Sequence, residues 1–263
     1  MRVFETYGRQ LAPKVVLVGL FPANDMDDAE LFDRWWREAR NEDFRHFRSS
    51  GSSGSGPYAW LKAASTRSYV AALLNQLRAV HYQGRFLSGT TIDLAPGERV
   101  QIVPQFHANN VANAVPGKPG FDLMIDAMAE LEALAASQGT ACLVVLFPSK
   151  EEIYGQFTDQ EFPDLAAPVR SELEARGVDY VDLGPLFRER ARDGLALHHE
   201  VDGHPNARGY ALIAATLADH LQQNASKYGL DGDRAADSTT SSPPSVPART
   251  SLATASPDAT NTH

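Results

Sequence analysis

The apolar residues of the chain form four short runs with helical patterns between them. The runs at residues 15–21, 100–103, 141–147 and 178–183 predict buried strands. Two of them, VVLVGLF and CLVVLF, are continuous rather than alternating, which is typical of strands covered on both faces in a parallel sheet. Helical spacing is found at residues 28–39, 58–80, 121–137, 165–176 and 185–192. Strands that alternate with helices predict an α/β fold, here a three-layer sandwich around a mostly parallel sheet.

Three further regions stand out by composition. The stretch FRSSGSSGSGPYAW, residues 47–60, predicts a flexible Gly/Ser loop. Residues 82–105 alternate moderately and turn at 95–97, as expected of a β-hairpin insertion. Residues 225–263 consist largely of Ser, Thr, Ala, Pro and Asp, and we expect a disordered tail because they contain too few apolar residues to fold. The folded domain is therefore predicted to span residues 1–224.

Composition and charge exclude several classes of protein. The chain has 263 residues, of which 43% are hydrophobic, enough for a sizeable core. Its net charge of -9 argues against a nucleic-acid partner, which needs a basic surface. No run of 18 apolar residues exists, so no transmembrane segment is expected in this chain. Cys142, the single cysteine, lies in an apolar run and is predicted to be a core residue. We expect no cofactor.

The densest group of polar residues directly precedes a helical pattern. In HHEVDGHPNARGYALIAATL, residues 198–217, the apolar spacing predicts a helix that begins near Pro205 or Asn206. His204 then lies on the loop that leads into the helix, with Asp202 two residues earlier. The carboxylate can fold back onto the imidazole and hold Nδ1–H, which leaves Nε2 free as a base.

Two other interpretations of this stretch stay open. Asp202 and Asn206 are ordinary helix-cap residues, so the loop could be only a polar cap. His198, His199, Asp202 and His204 also include ligand types for zinc or iron, although no second cluster of such residues stands out. The remaining isolated histidines, predicted to be surface or core residues, are His46, His81 and His107.

A polar residue follows the first predicted strand at the edge where ligands bind in open α/β sheets. Asn24 lies there, and its side-chain NH2 could donate to a developing oxyanion. The alternative is a helix cap. Asp27 and Asp28 are predicted only to place negative charge at the helix N-terminus.

The third strand ends in FPSKEEIYG, at the same expected edge. Lys150 could bind an anionic group or orient the loop. Ser149 has no strained G-x-S-x-G turn around it, so we interpret it as a loop residue that makes a local hydrogen bond to the backbone rather than as a nucleophile.

These motifs, in this order, resemble the SGNH (GDSL-like) hydrolase superfamily, in a branch similar to polysaccharide O-acetylation proteins. GLFPANDM resembles its third block, whose Asn is an oxyanion donor, which implies that role for Asn24. DGHPNARGY resembles its last block, which carries the catalytic Asp and His, here Asp202 and His204. FPSKEEIYG is also similar to that branch. The resemblance covers about residues 14–221 and implies an SGNH/flavodoxin-like sheet.

The chain departs from the family pattern at its start. The Gly-Asp-Ser block with the nucleophilic serine, and the block with a glycine oxyanion donor, should precede VVLVGLF, but only fourteen residues do. No nucleophile is identified. The chain is therefore interpreted as the C-terminal portion of a longer hydrolase that lacks its first strands.

Three functions follow as hypotheses. The resemblance implies an esterase or O-acyltransferase acting on acyl esters or an O-acylated glycan by a Ser-His-Asp mechanism, with the serine missing from this chain and an envelope or periplasmic location. A non-catalytic carbohydrate-binding or assembly protein with a degenerate fold is the alternative. The last is a metal-dependent hydrolase using His198, His199, Asp202 and His204.

Overall fold

The computed structural model describes residues 2–6, 8–41, 43–51, 68–71, 73–74 and 89–231. Its strands are β1 (Val15–Leu20), β2 (Thr90–Ala95), β3 (Glu98–Ile102), β4 (Ala141–Leu146) and β5 (Tyr180–Asp182). In the described part, β1, β4 and β5 form a parallel sheet in that order, with β4 in the centre. Strands β2 and β3 form a separate antiparallel hairpin.

Helices connect and cover the strands. The α-helices are α1 (Arg2–Thr6), α2 (Asp25–Glu38), α3 (Phe44–Gly51), α4 (Pro104–Asn113), α5 (Pro119–Ala136), α6 (Lys150–Tyr154), α7 (Ala166–Ala175), α8 (Gly184–Arg192) and α9 (Ala207–Gln223). Short 3-10 turns lie at Gly8–Leu11 and Gly155–Phe157. No described helix is long and apolar enough to cross a membrane.

The central strand explains the continuous apolar run of its sequence. Successive side chains of a strand point to opposite faces. Val144 and Leu146 pack in a core cluster with Ile125 of α5, whereas Val145 packs in another with Phe187 of α8. Both faces of β4 are therefore covered by helices. An α/β fold with a parallel sheet is confirmed, and the three-layer sandwich stays a prediction.

The run at 100–103 lies largely in β3, which pairs antiparallel with β2 as the predicted hairpin insertion implies. Two other features depart from the sequence pattern. Residues 44–51, partly predicted as loop, form α3, whose Phe44 packs against Phe32 of α2 with ring centroids 5.4 Å apart. Helix α4 was not predicted, because its polar sequence PQFHANNVAN has little helical periodicity. The hairpin turn lies where expected, with Gly97 at a φ of 82°.

Some predicted features lie largely outside the described residues. Of the helix at 58–80, residues 69–71 and 73–74 are described and helical. Residues 52–60 of the Gly/Ser loop, 82–88 of the insertion, His81, and 232–263 of the tail are not described. Residues 224–231 form turns in which Tyr228 is buried and donates a 2.5 Å hydrogen bond to Asp179.

Candidate functional site

A cavity of about 630 Å³ lies at the carboxyl ends of β1 and β4. This is the edge at which the strand-end motifs of the sequence were expected to meet. The residues after β1, the residues after β4, the end of the hairpin and the loop before α9 all contribute to its wall. The apolar part of the wall consists of Phe21, Val103, Phe106, Phe147, Phe187, Val201 and Tyr210.

The loop at residues 198–205 is closed at its base. His198 and Pro205 form an isolated antiparallel bridge, and the N–H of His199 donates to the carbonyl of His204 at 3.1 Å. Asn206 follows as the N-cap of α9, where its Oδ1 accepts the N–H groups of Arg208 and Gly209. Residues 198–205 therefore form a tight loop that starts and ends beside the N-terminus of α9.

Asp202 and His204 are brought together within this loop. Oδ1 of Asp202 lies 2.5 Å from Nδ1 of His204 and 2.8 Å from its backbone N–H. These hydrogen bonds, the backbone one above all, hold the pKa of Asp202 below its ordinary value. The His204 side chain is 78% exposed and lines the cavity. Among the described residues, none hydrogen-bonds its Nε2. The predicted imidazole–carboxylate contact is present, and its catalytic role remains a prediction.

Asn24 lines the same cavity. It occupies the N-cap position of α2, but its side chain makes no capping hydrogen bond and is exposed. The next residue, Asp25, points back to the end of β1, where its Oδ2 accepts the N–H of Phe21 at 2.6 Å. Burial raises the pKa of Asp25 above its ordinary value. The amide of Asn24 is therefore left to face the cavity, as an oxyanion donor would require.

Asp27 and Asp28 do more than place charge at the start of α2. Oδ1 of Asp27 accepts a 2.9 Å hydrogen bond from the side-chain amide of Asn113 in α4. Asp28 forms a 2.9 Å ion pair with Arg48 of α3. Both carboxylates tie α2 to neighbouring helices.

Lys150 is buried, only 3% exposed, although it begins α6. Its ammonium donates to the backbone carbonyls of His199 and Glu200, both at 2.8 Å, and of Asp202 at 3.1 Å. Burial lowers the pKa of Lys150 to about 8, while nearby carboxylates oppose this shift. The three N–H bonds of the ammonium are thus used on the loop. Of the two roles considered for Lys150, the geometry favours orienting the loop over binding an anion.

Two residues that sequence reasoning missed also come from α6. Glu151 is buried, lines the cavity and accepts the N–H of Val103 at 3.0 Å. Burial raises the pKa of Glu151. The Tyr154 hydroxyl accepts the N–H of Leu197 at 2.8 Å and lies 3.2 Å from Nδ1 of His198. The signal in the sequence for these two residues was their position shortly after a buried strand. It could not show their hydrogen-bond partners, which are distant along the chain.

The histidines of the proposed metal set are separated by burial. His198 is buried between the rings of Tyr154 and Phe187, and burial lowers its pKa to about 3, so it is neutral. His199 is exposed. Within the described ranges, no three His, Cys, Asp or Glu side chains come together in a way that could hold a metal ion. The geometry gives the metal hypothesis no support there.

Ser149 makes the predicted local hydrogen bond. Its Oγ accepts the N–H of Glu152 at 3.2 Å, and its own N–H donates to the Glu152 carboxylate at 2.7 Å, a capping box. His107, buried as a core residue, lies 3.4 Å from this Oγ and bonds the carbonyl of Pro163. The group is enclosed and does not line the cavity.

A comparison with known families agrees with this arrangement. The family description that matches residues 106–259, more than half of the chain, is the SGNH hydrolase-like domain of the acetyltransferase AlgX. The chain belongs to this SGNH hydrolase-like family. No curated protein and no solved structure gives a significant match. The predicted family is confirmed.

The family match covers part of the cavity. Lys150, Asp202 and His204 lie within the matched residues of the SGNH hydrolase-like domain, whereas Asn24 lies outside them. The predicted oxyanion role of Asn24 is therefore supported by its position alone. Asn24 lies at the carboxyl end of β1 and in the cavity wall that also contains His204.

Proposed function

We propose that this domain performs acyl transfer on an ester, either hydrolysis or transfer of the acyl group to or from a glycan hydroxyl. The observation that carries the proposal is the Asp202–His204 contact, made in the wall of a cavity at the carboxyl edge of the sheet. Membership of the family of the acetyltransferase AlgX supports this class of reaction. We also propose that the sheet belongs to the three-layer sandwich of SGNH hydrolases.

His204 acts as the general base in this proposal. Nε2 takes the proton of an attacking hydroxyl, whose oxygen forms a bond to the ester carbonyl carbon while the carbonyl electrons move to oxygen. Asp202 holds Nδ1–H and stabilises the imidazolium that forms. The tetrahedral intermediate then expels the alcohol oxygen, which receives the proton back from Nε2. Each proton taken is returned, so the imidazole is regenerated.

Asn24 stabilises the oxyanion. Its amide is exposed, makes no cap bond, and shares the cavity wall with His204. A preorganised side-chain donor of this kind contributes about 100-fold to 1,000-fold in rate. We expect N24A to lose about that factor in kcat, and N24D to lose at least as much because a carboxylate cannot donate. Retention of full activity by N24A would remove the residue from the mechanism.

We propose that the attacking hydroxyl belongs to a residue outside the described cavity wall. Among the described residues that line the cavity, none is Ser, Thr or Cys. The buried Ser149 is committed to the capping box of α6. In this proposal a serine outside these residues supplies the nucleophile.

A labelling experiment tests the proposal and locates the nucleophile. The purified chain is incubated with acetyl esters and, separately, with a fluorophosphonate that reacts with activated serine, followed by peptide mass spectrometry. We expect wild type to turn over acetyl esters and to contain one labelled serine, and H204A to lose both reactions. Turnover or labelling that H204A leaves unchanged would remove His204 from the mechanism.

A non-catalytic carbohydrate-binding role is the second candidate. The absence of Ser, Thr and Cys from the described cavity wall favours it, as do the exposed aromatic rings of Phe106 and Tyr210. Aromatic faces supply large apolar contact area to a ligand. Saturable binding of an O-acetylated oligosaccharide that F106A weakens, without turnover under any of the conditions above, would favour this function over acyl transfer.

A further inference from the structure

We propose that Lys150 is a positioning residue, whose ammonium fixes the loop at residues 199–202 so that the Asp202 carboxylate stays on the His204 imidazole. The inference deepens the proposed function and rests on it, since it concerns the orientation of the proposed base. Lys150 itself does not touch the substrate in this assignment.

The first argument is the convergence of three carbonyls on one atom. His199, Glu200 and Asp202 point their backbone oxygens at Nζ of Lys150, at 2.8, 2.8 and 3.1 Å. An ammonium has three N–H donors, so each carbonyl receives one. Three carbonyls from four consecutive residues can meet at one point only if the chain curls around it. The ammonium therefore defines the shape of the loop.

The second argument is that the loop has little else to hold it. Side chains 199–204 are all exposed, so no apolar packing fixes this segment. Its backbone contacts are few: the bridge between His198 and Pro205 and the bond from the His199 N–H close the base, and the N–H of Gln101 in β3 donates to the carbonyl of Glu200 at 2.7 Å. Asp202 is held from two sides, by Lys150 at its carbonyl and by His204 at its carboxylate. Loss of the hydrogen bond from Lys150 therefore releases Asp202, which orients the imidazole.

The third argument is that Lys150 is itself rigidly placed. It follows β4 directly and begins α6, where Ser149 and Glu152 form the capping box. Its side chain is buried, which restricts where the ammonium can lie. A strand end fixed by its capping box is thus connected to the loop of the proposed base through one ammonium group.

The experiment compares K150M with wild type and with K118M, which removes an exposed lysine at the start of α5. The ring-nitrogen NMR signals of His204 report which nitrogen is protonated. We expect wild type and K118M to show Nδ1–H, and K150M to show the mixed tautomers of an unrestrained histidine. The ring signals of His198, which is held by Tyr154 below the loop, should stay unchanged.

A second measurement does not depend on a variant that folds. Above pH 8, deprotonation of Lys150 leaves two N–H donors for three carbonyls, so amide signals of residues 199–204 in wild type should shift together. The charged or titratable groups that face the ammonium are Glu151, Glu200, Asp202 and His198. K150R, whose planar guanidinium cannot direct donors at three converging carbonyls, should show only partial Nδ1–H.

The outcomes separate this inference from the proposed function. An unchanged Nδ1–H signal in folded K150M, or in K150R where K150M does not fold, would overturn the positioning role. In kinetic assays K150M should lose about 100-fold in kcat with little change in KM. The double variant K150M/D202N should be no slower than D202N. Tautomer loss in K150M with no acyl transfer by wild type would overturn only the proposed function.

Discussion

At the residue scale, the site depends on one short contact between two exposed side chains. Asp202 and His204 are only two residues apart, so their meeting needs no tertiary structure beyond a curled loop. The exposure of the imidazole means that water competes for both nitrogens. The contact is therefore kept by the geometry of the loop, through the backbone N–H of His204 and the ammonium of Lys150.

Replacement of Asp202 by Asn tests the orienting role. The amide is isosteric but presents an NH2 group or a weaker acceptor to Nδ1, so the imidazole favours the tautomer with Nε2 protonated. We expect D202N to lose about 10,000-fold in kcat, as such a change does in Ser-His-Asp enzymes. The exposed Asp193→Asn is the matched control and should keep full activity. Equal rates for both variants would contradict an orienting carboxylate.

Glu152 gives the fold a dependence on pH that is separate from activity. Burial raises its pKa to about 7 from an ordinary 4.5, against the hydrogen bonds from the N–H groups of Ser149 and Leu165. The native state therefore binds more protons than the unfolded state between these pH values. The free energy of unfolding should then fall as pH rises from about 4.5 to 7, by roughly 3 kcal/mol at most.

Chemical denaturation across this pH range measures the effect. E152Q cannot titrate and should lose this slope, even though its amide serves the two N–H donors less well and lowers stability at every pH. The exposed Glu161→Gln should keep the wild-type slope. Equal slopes for wild type and E152Q between pH 4.5 and 7 would contradict a raised pKa at Glu152.

At the element scale, the loop and α9 are packed with almost no clearance. A Cβ added at Gly209, in the first turn of α9, would lie 2.2 Å from the carbonyl oxygen of Leu197 and 2.9 Å from Pro205. Backbone atoms cannot yield as a flexible side chain can. Gly203, between Asp202 and His204, has no atom within 4 Å of an added Cβ. Close packing therefore requires glycine at position 209 but not at position 203.

Alanine should lower the stability of the protein at position 209 but not at position 203. G209A pushes α9 away from the base of the loop and should destabilise the protein by about 1–3 kcal/mol. G203A should change stability by less than about 0.5 kcal/mol. Thermal unfolding of both variants measures the difference. A wild-type melting temperature for G209A would mean that α9 does not pack this closely on Leu197.

The sequence predicts the elements whose signal is local. The continuous apolar runs of β1 and β4 and the helix after Asn206 are each encoded within a short window, and so is the Asp202–His204 contact. Helix α3 has its Phe44 packed on α2, which no local pattern shows. The bonds from Lys150 span about fifty residues, and the link from Glu151 to Val103 spans 48. Loop-shaping contacts of this kind depend on the assembled fold.

At the scale of the whole molecule, charge constrains the substrate. The chain has a net charge of -9, and the described cavity wall contains the carboxyl groups of Asp25 and Glu151. The ammonium of Lys150 directs its three N–H groups at backbone carbonyls of the loop rather than at a ligand. An anionic glycan would approach against the field of the protein, whereas a neutral one would not.

Salt dependence of binding measures this effect. We expect a neutral O-acetylated oligosaccharide to bind with an affinity that is insensitive to ionic strength, and an O-acetylated uronate oligosaccharide of equal length to bind more weakly. Raising salt from about 0.01 to 0.15 M shortens the Debye length from about 30 to 8 Å, which should reduce the difference in affinity between the two oligosaccharides. E151Q should narrow it further, whereas the exposed Glu161→Gln should not. Tighter binding of the uronate at low salt would show that a cation outweighs these carboxylates in the binding site.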